Sequence, residues 1–265
     1  MKKEIQHQYF IEIDSNSGRL NIGNFSISVS NKIQKKYIQK NICNYSEIKS
    51  IWNQSKTPLF YIHGYYSATK GVTKRTVIGF DNFLKDKNAS SDGVIHIIWD
   101  AKTLDYYKTF KIIEKTKKGL AHLLEKLYNL EKNQIQVMCH SMGNKLFLES
   151  MKTGILKSKI ISNLILSAPD ISVIEFQENI SKYRAIASQI IILTHQKDKI
   201  LLASSMLNGK NRLGQKPKTK INAPNFTILN CTGVKNEQNL LSKINKHFYY
   251  IASQEVRNNL HKLLG

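Results

Sequence analysis

From residue 58 onward, short continuous apolar runs alternate with longer amphipathic segments, and this alternation limits the chain to a narrow class of folds. Leu59-Phe60-Tyr61-Ile62, Val94-Ile95-His96-Ile97-Ile98-Trp99, Ile135-Gln136-Val137-Met138-Cys139, Leu164-Ile165-Leu166, Ile190-Ile191-Ile192-Leu193 and Phe226-Thr227-Ile228-Leu229 are too short for helices. They are rich in β-branched residues, as strands covered on both faces are. Helical spacing falls between them. Residues 105–130 carry Leu120, Leu123, Leu124 and Leu127, and 144–156 carry Leu146, Phe147 and Met151. Weaker segments lie at 174–187 and 199–208. A last helix spans 253–263, with Val256, Leu260, Leu263 and Leu264 on one face and His261 turned away toward solvent. Strand–helix alternation of this kind predicts an α/β fold with a mostly parallel central sheet flanked by helices.

The first 55 residues read differently. Tyr9-Phe10-Ile11-Glu12-Ile13, the turn signal Asp14-Ser15-Asn16-Ser17-Gly18 and the alternating Phe25-Ser26-Ile27-Ser28-Val29-Ser30 predict an antiparallel strand extension at the sheet edge. The basic stretch 32–40 is placed on the surface. With no Pro/Gly/Ser-rich linker, the 265 residues predict one domain, with 1–55 as the extension and 56–265 as the core.

The segment Cys139-His140-Ser141-Met142-Gly143 runs off a buried strand into a helix. A sharp strand-to-helix turn around a serine demands small residues two places before and two after it. Ser141 then sits at a helix N-terminus, where backbone N–H groups favour developing negative charge. Cys139 stands where glycine is usual. It is small, but it crowds the turn slightly and could expose a thiol beside the serine. The alternative is an ordinary serine following a strand.

A nucleophilic serine needs a base, and the base an orienting acid; after a turn of this type they follow in the order acid, then histidine. Three histidines follow Ser141. His195 ends a strand and is poorly placed to turn back, and His261 is on the last helix. His247 lies in the loop before that helix, where a base reaches the serine. Two acids compete at strand carboxyl ends, where open α/β sheets place their sites: Asp198, which is favoured, and Asp170 as the alternative acid. Asp198 could instead simply cap the helix that starts at Lys199. The oxyanion donors are expected at the Met142 amide and, from the loop after an early strand in His63-Gly64-Tyr65, at the Tyr65 amide. His63, Gly64, Tyr66, Trp99 and His140 are expected around the substrate pocket.

These pieces resemble the α/β-hydrolase superfamily and, within it, the uncharacterised bacterial hydrolases grouped as DUF900. The resemblance rests on Phe60-Tyr61-Ile62-His63-Gly64-Tyr65, Trp99, His140-Ser141-Met142-Gly143-Asn144, Ala168-Pro169-Asp170, Asp198 with Ala203-Ser204, Arg212-Leu213-Gly214, and His247 followed by an aromatic. It covers about residues 55–250 and implies an α/β-hydrolase fold with a Ser/Asp/His site. The expectation is therefore an esterase or lipase acting through an acyl-enzyme, chemistry that needs no metal or organic cofactor. The competing expectation is a non-catalytic binding module on the same fold.

Charge bears on partners. There are 40 Lys+Arg against 19 Asp+Glu, a net charge of +21, yet only Arg19, Arg75, Arg184, Arg212 and Arg257 are arginines. The lysines accompany many Ile and Asn, the residues of A/T-rich codons, so base composition explains part of the excess. Scarce arginine and the lack of a helix-turn-helix, zinc or RRM signature argue against nucleic acid. An anionic membrane surface or a small-molecule or lipid ester fits better, and the segment 209–220, with five basic residues, is the candidate contact. The N-terminus turns polar too soon for a secretory signal, no apolar run approaches membrane-spanning length, and Cys43, Cys139 and Cys231 form no C-x-x-C pair. A reducing, cytoplasmic setting is expected.

Overall fold

The computed structural model describes residues 3–27, 33–42, 57–65, 74–101, 105–131, 135–157, 159–215, 221, 224–235 and 246–265. Among these residues nine strands form one sheet: β1 (Lys3–Ile13), β2 (Leu20–Ile27), β3 (Ile33–Ile42), β4 (Pro58–Ile62), β5 (Gly93–Ile98), β6 (Ile135–His140), β7 (Ile161–Ser167), β8 (Ala187–Thr194) and β9 (Phe226–Asn230). Their spatial order is β3-β2-β1-β5-β4-β6-β7-β8-β9. Every pairing from β1 through β5, β4, β6, β7 and β8 to β9 is parallel, whereas β2 runs antiparallel to both β1 and β3.

The predicted terminal hairpin is present, but β1 is not an edge. It pairs in parallel with β5, Tyr9 opposite Ile95 and Ile11 opposite Ile97, so the N-terminal strands extend the main sheet. The basic stretch expected only as surface forms most of β3, the outermost strand; Lys40 there is exposed, and charge on an edge discourages unwanted pairing.

Alternate residues of the central strands feed two apolar layers, as the two-residue period requires. Phe60, Ile62, Val137, Cys139, Leu164, Leu166, Ile190 and Ile192 join one layer, completed by Leu120, Leu123, Leu124 and Leu127 of α2 (Tyr106–Glu131) and Leu146 and Phe147 of α3 (Met142–Lys152). Leu59, Tyr61, Met138, Ile165, Ile191 and Leu193 join the other. It is completed by Phe80 and Phe83 of α1 (Lys74–Lys85), Leu201 of α6 (Lys199–Asn208), Tyr249, Tyr250 and Ile251 of α7 (Tyr249–Ala252), and Val256 and Leu260 of α8 (Gln254–Leu264).

The segment read as one helix over 174–187 is two, α4 (Val173–Glu178) and α5 (Ile180–Ile186), broken at Asn179, whose amide donates to Glu175 O at 2.8 Å. Helix α1 has no counterpart in the sequence reading. Thr76, Val77, Ile78 and Gly79 are poor helix formers, and the helix is held by packing: a Cβ on Gly79 would lie 2.7 Å from Ile251, so α1 approaches α7 at a glycine. The buried face of α8 is Val256, Arg257, Leu260 and His261, so His261 is interior and not solvated as expected. Its Nδ1 accepts from Ser90 N at 3.1 Å, its ring packs 4.3 Å from Phe83, and Nε2 faces Asp86, which also holds Arg257 at 2.6 Å. Among the described residues no helix is long and apolar enough to cross a membrane.

Candidate active site

Strand β6 ends at His140, and the chain reverses at Ser141, with φ 52° and ψ −121°, directly into α3. A positive φ is costly for serine. Three donors converge on Ser141 O to hold it: Asn144 N at 3.1 Å, Asn144 Nδ2 at 3.0 Å and Asp170 N at 3.2 Å. Ser141 N donates in turn to Ser167 O at 3.0 Å. The Ser141 side chain makes no capping bond to the helix it precedes, so Oγ is not consumed as a cap. Asn144 stitches further, to Cys139 O and Ser167 O at 3.2 Å each.

Two glycines let the arms of the site close on each other. A Cβ on Gly143 would lie 2.6 Å from the carbonyl oxygens of both Ile62 and His63, and one on Gly64 would lie 2.7 Å from Ser141 Cβ. The first turn of α3 therefore rests against the end of β4, and the His63-Gly64-Tyr65 loop lies against the serine.

That loop is braced from behind. Trp99 donates from its backbone to His63 Nε2 at 3.2 Å and from its indole to His63 O at 2.9 Å; the rings stack at 5.6 Å. His63 Nδ1 faces Gly64 O at 2.8 Å, which fixes Nδ1 as the protonated nitrogen. His63 and Trp99, expected around a pocket, are thus almost fully enclosed and tied to each other. Tyr65 is half-buried and meets Tyr106 edge-on at 5.9 Å. Tyr66 lies outside the described residues.

His247 and Asp198, two of the expected site residues, lie side by side. His247 Nδ1 lies 2.6 Å from Asp198 Oδ2, both groups buried. The capping role weighed against this pairing is also real. Oδ1 accepts from Ile200 N at 3.0 Å and Leu201 N at 3.1 Å, so each carboxylate oxygen has its own task. Gln215 Nε2 donates to Asp198 O at 3.1 Å. His140 fastens the histidine loop from the other side, its Nε2 3.2 Å from His247 O and its ring 4.6 Å from that of His247. Burial holds the His140 imidazole well below the usual histidine range, so it is neutral, and Nε2–H is its donor. His195 accepts from Lys197 N and packs on Tyr249, away from the base position.

Asp170 has other partners. Ser204 Oγ donates to Oδ1 at 2.5 Å, Tyr106 OH to Oδ2 at 3.2 Å, and Arg212 Nε lies 3.2 Å from Oδ1. Burial raises its carboxyl above the usual range, while the Ser204 hydroxyl and the Arg212 guanidinium pull the other way. The Arg212-Leu213-Gly214 segment clamps the Asp170 loop: Leu213 N donates to Ile171 O at 2.9 Å and Gly214 N to Pro169 O at 3.1 Å. A Cβ on Gly214 would lie 2.8 Å from the Ala168 and Pro169 backbone. Arg212, counted among the basic residues of 209–220, is therefore an interior group, because Asp170 offers it a buried counter-charge; residues 216–220 lie outside the described residues.

Cys139 exposes no thiol to the serine. It is fully buried in the α2/α3 layer, and burial drives its thiol well above the usual range. The bracing roles of Asn144, Gln215 and Tyr106 escaped the sequence reading, as did that of Tyr249, whose OH donates to Leu193 O at 2.8 Å and accepts from Ala168 N at 3.2 Å. Only Asn144 sits in a local motif that could have flagged it. Among the described residues no group of three or more His, Cys, Asp or Glu could hold a metal ion.

Comparison with solved structures returns α/β-fold hydrolases at low identity. Esterase PE8 is 13% identical, with a TM-score of 0.45 over 79% of this chain and 92% of that one. A Pyrobaculum calidifontis esterase is 12% identical, with a TM-score of 0.41 over 78% and 74%. A dienelactone hydrolase-like promiscuous phosphotriesterase from metagenomic libraries is 7% identical, with a TM-score of 0.45 over 100% and 97%. No curated protein sequence matches the chain. A family model does match, over residues 39–265, wider at both ends than the motifs alone suggested. By that match the chain belongs to the family described as alpha/beta hydrolase of unknown function, DUF900.

Proposed function

We propose that this α/β hydrolase cleaves carboxylic esters through Ser141, His247 and Asp198. His247 Nε2 takes the Ser141 hydroxyl proton as Oγ attacks the acyl carbonyl. Asp198, bound to Nδ1–H, keeps the imidazole in the tautomer that presents Nε2 as acceptor and stabilises the imidazolium that forms. The amides of Met142 and Tyr65 receive the oxyanion. His247 returns the proton to the leaving alcohol, and water clears the acyl-enzyme by the same route in reverse. Lipid esters belong to this substrate class, and the net charge of +21 favours one presented at an anionic surface.

The observation that carries this reading is the 2.6 Å His247–Asp198 bond, made by the carboxylate oxygen that the helix cap does not use. It is supported by a serine held at positive φ with an uncapped hydroxyl. The test is labelling by a fluorophosphonate probe together with hydrolysis of a short-chain nitrophenyl ester. Wild type should label and turn over; Ser141→Ala and His247→Ala, shown folded by their melting curves, should not label. Their kcat should fall by about 10⁶-fold, as when the serine or histidine of a characterised triad is removed. A folded wild type that neither labels nor turns over ester would favour the non-catalytic module.

A further inference from the structure

Helix α6 is inverted in polarity. The side turned to the protein carries Leu201 and Ser204, with Ser205 and Asn208 partly covered. The side turned to solvent carries Ile200, Leu202, Met206 and Leu207, between 46% and 74% exposed. A surface helix ordinarily does the reverse. The apolar surface continues onto its neighbours. Tyr107, 58% exposed, donates its hydroxyl to Leu207 O at 3.1 Å. Ile174, also 58% exposed, follows Val173, whose amide donates to Asn211 O at 3.1 Å.

We propose that this face of α6 docks on an anionic lipid bilayer surface. Charge selects the occupant. No Asp or Glu occurs between Asp198, which is buried, and Glu237. Lys197, Lys199 and Lys210 are exposed at the two ends of the helix, and Lys111 is exposed on α2 one turn beyond Tyr107. The acids at the margin of the face are Asp105 beside Tyr107, paired with Lys108 at 3.8 Å, and Glu178, one turn beyond Ile174. An apolar face with lysines at both ends of its helix matches the boundary between acyl chains and anionic headgroups, where apolar groups enter the chains and ammonium groups meet phosphates. A second copy is a poorer occupant, because a two-fold contact would bring the same lysines together. The surface also adjoins the site. Ser204 and Asn208, on the inner side of α6, bond to Tyr106, whose ring abuts Tyr65, and α6 begins at Asp198.

Docking needs no chemistry, so the full-length Ser141→Ala protein can test it whether or not the hydrolytic reading holds. Sucrose-loaded vesicles of phosphatidylcholine with phosphatidylglycerol should sediment the protein, and pure phosphatidylcholine vesicles much less. Binding should weaken as salt rises. Met206→Ser/Leu207→Ser in that background, checked by its melting curve, should weaken binding by about tenfold or more. Met206→Trp provides a readout that does not depend on loss: its emission should shift to the blue on anionic vesicles only. Three results would overturn the proposal: no binding to anionic vesicles, binding that the double substitution leaves unchanged with no shift at Trp, or a concentration-dependent dimer that the double substitution dissociates.

Discussion

Asp198 divides its carboxylate between His247 and the helix that follows it. Oδ2 lies 2.6 Å from His247 Nδ1, while Oδ1 accepts the Ile200 and Leu201 amides at the start of α6. One residue thus anchors a loop and starts a helix. The two tasks separate by mutation. Asn in place of Asp keeps an oxygen for the cap but cannot accept at both positions, so it favours the wrong imidazole tautomer. Asp198→Asn should lower kcat by about 10⁴-fold with a small change in stability. Asp198→Ala should match that loss and also destabilise by about 0.5–2 kcal/mol, the cost of a missing cap. Ester hydrolysis and urea unfolding measured on both variants check the split.

Ser141 occupies a backbone conformation that glycine tolerates without cost. Ser141→Gly should therefore remove fluorophosphonate labelling and raise stability by about 1 kcal/mol, whereas Ser141→Ala removes labelling with no gain. Thermal melting of the two variants side by side decides the matter; equal melting temperatures would mean that the turn is not strained.

The Asp170–Arg212 pair is buried, and breaking it from one side strands a charge. Arg212→Met should destabilise by about 3–5 kcal/mol. Asp170→Asn can still accept from Ser204 at Oδ1, with its amide nitrogen donating to the Tyr106 hydroxyl. If Asp198 is the acid that serves His247, Asp170→Asn should retain labelling and most of kcat once shown to be folded. Loss of labelling in a stable Asp170→Asn protein would shift the acid to Asp170.

Two buried histidines predict the response to acid. Burial lowers His96 to about 3 and His140 well below its ordinary value. The unfolded chain binds these protons near pH 6.5 and the native protein does not, so stability is full above that pH. It should fall as the pH drops from about 6.5 toward 3, by about 1.4 kcal/mol per pH unit for each histidine. Asp170, with a raised carboxyl, acts in the opposite sense at the acidic end. Chemical denaturation between pH 7 and 4.5 should show the slope, and His96→Gln, which can still meet Gln8 as His96 Nε2 does at 2.9 Å, should flatten it.

The extent to which the sequence was legible follows from the range of each interaction. Strands β4 to β8 announce themselves as short apolar runs, because every residue of a buried strand must satisfy two layers, and the helices α2 and α3 through their 3.6-residue apolar period. The turn at Ser141 is legible because its steric demand falls on residues two places away, and Gly143 meets it. Cys139 could not be read the same way: whether its thiol faces the serine or the core depends on which side of β6 it takes, and it takes the side of Val137 in the α2/α3 layer.

What the sequence determined alone was the fold class and the short list of chemical groups, since local patterning and chain order select both. What only the tertiary structure decided was how those groups are paired. The terminal strand joined β5 across some 80 residues of chain, α1 formed against Ile251 despite weak propensity, and His261 was drawn inside by Asp86 and Ser90. Asp198 and Asp170 are both acids at strand ends. They parted because one faces His247 while the other faces Arg212, Ser204 and Tyr106. Such pairings depend on contacts between residues far apart in the chain, which no local window of the sequence contains.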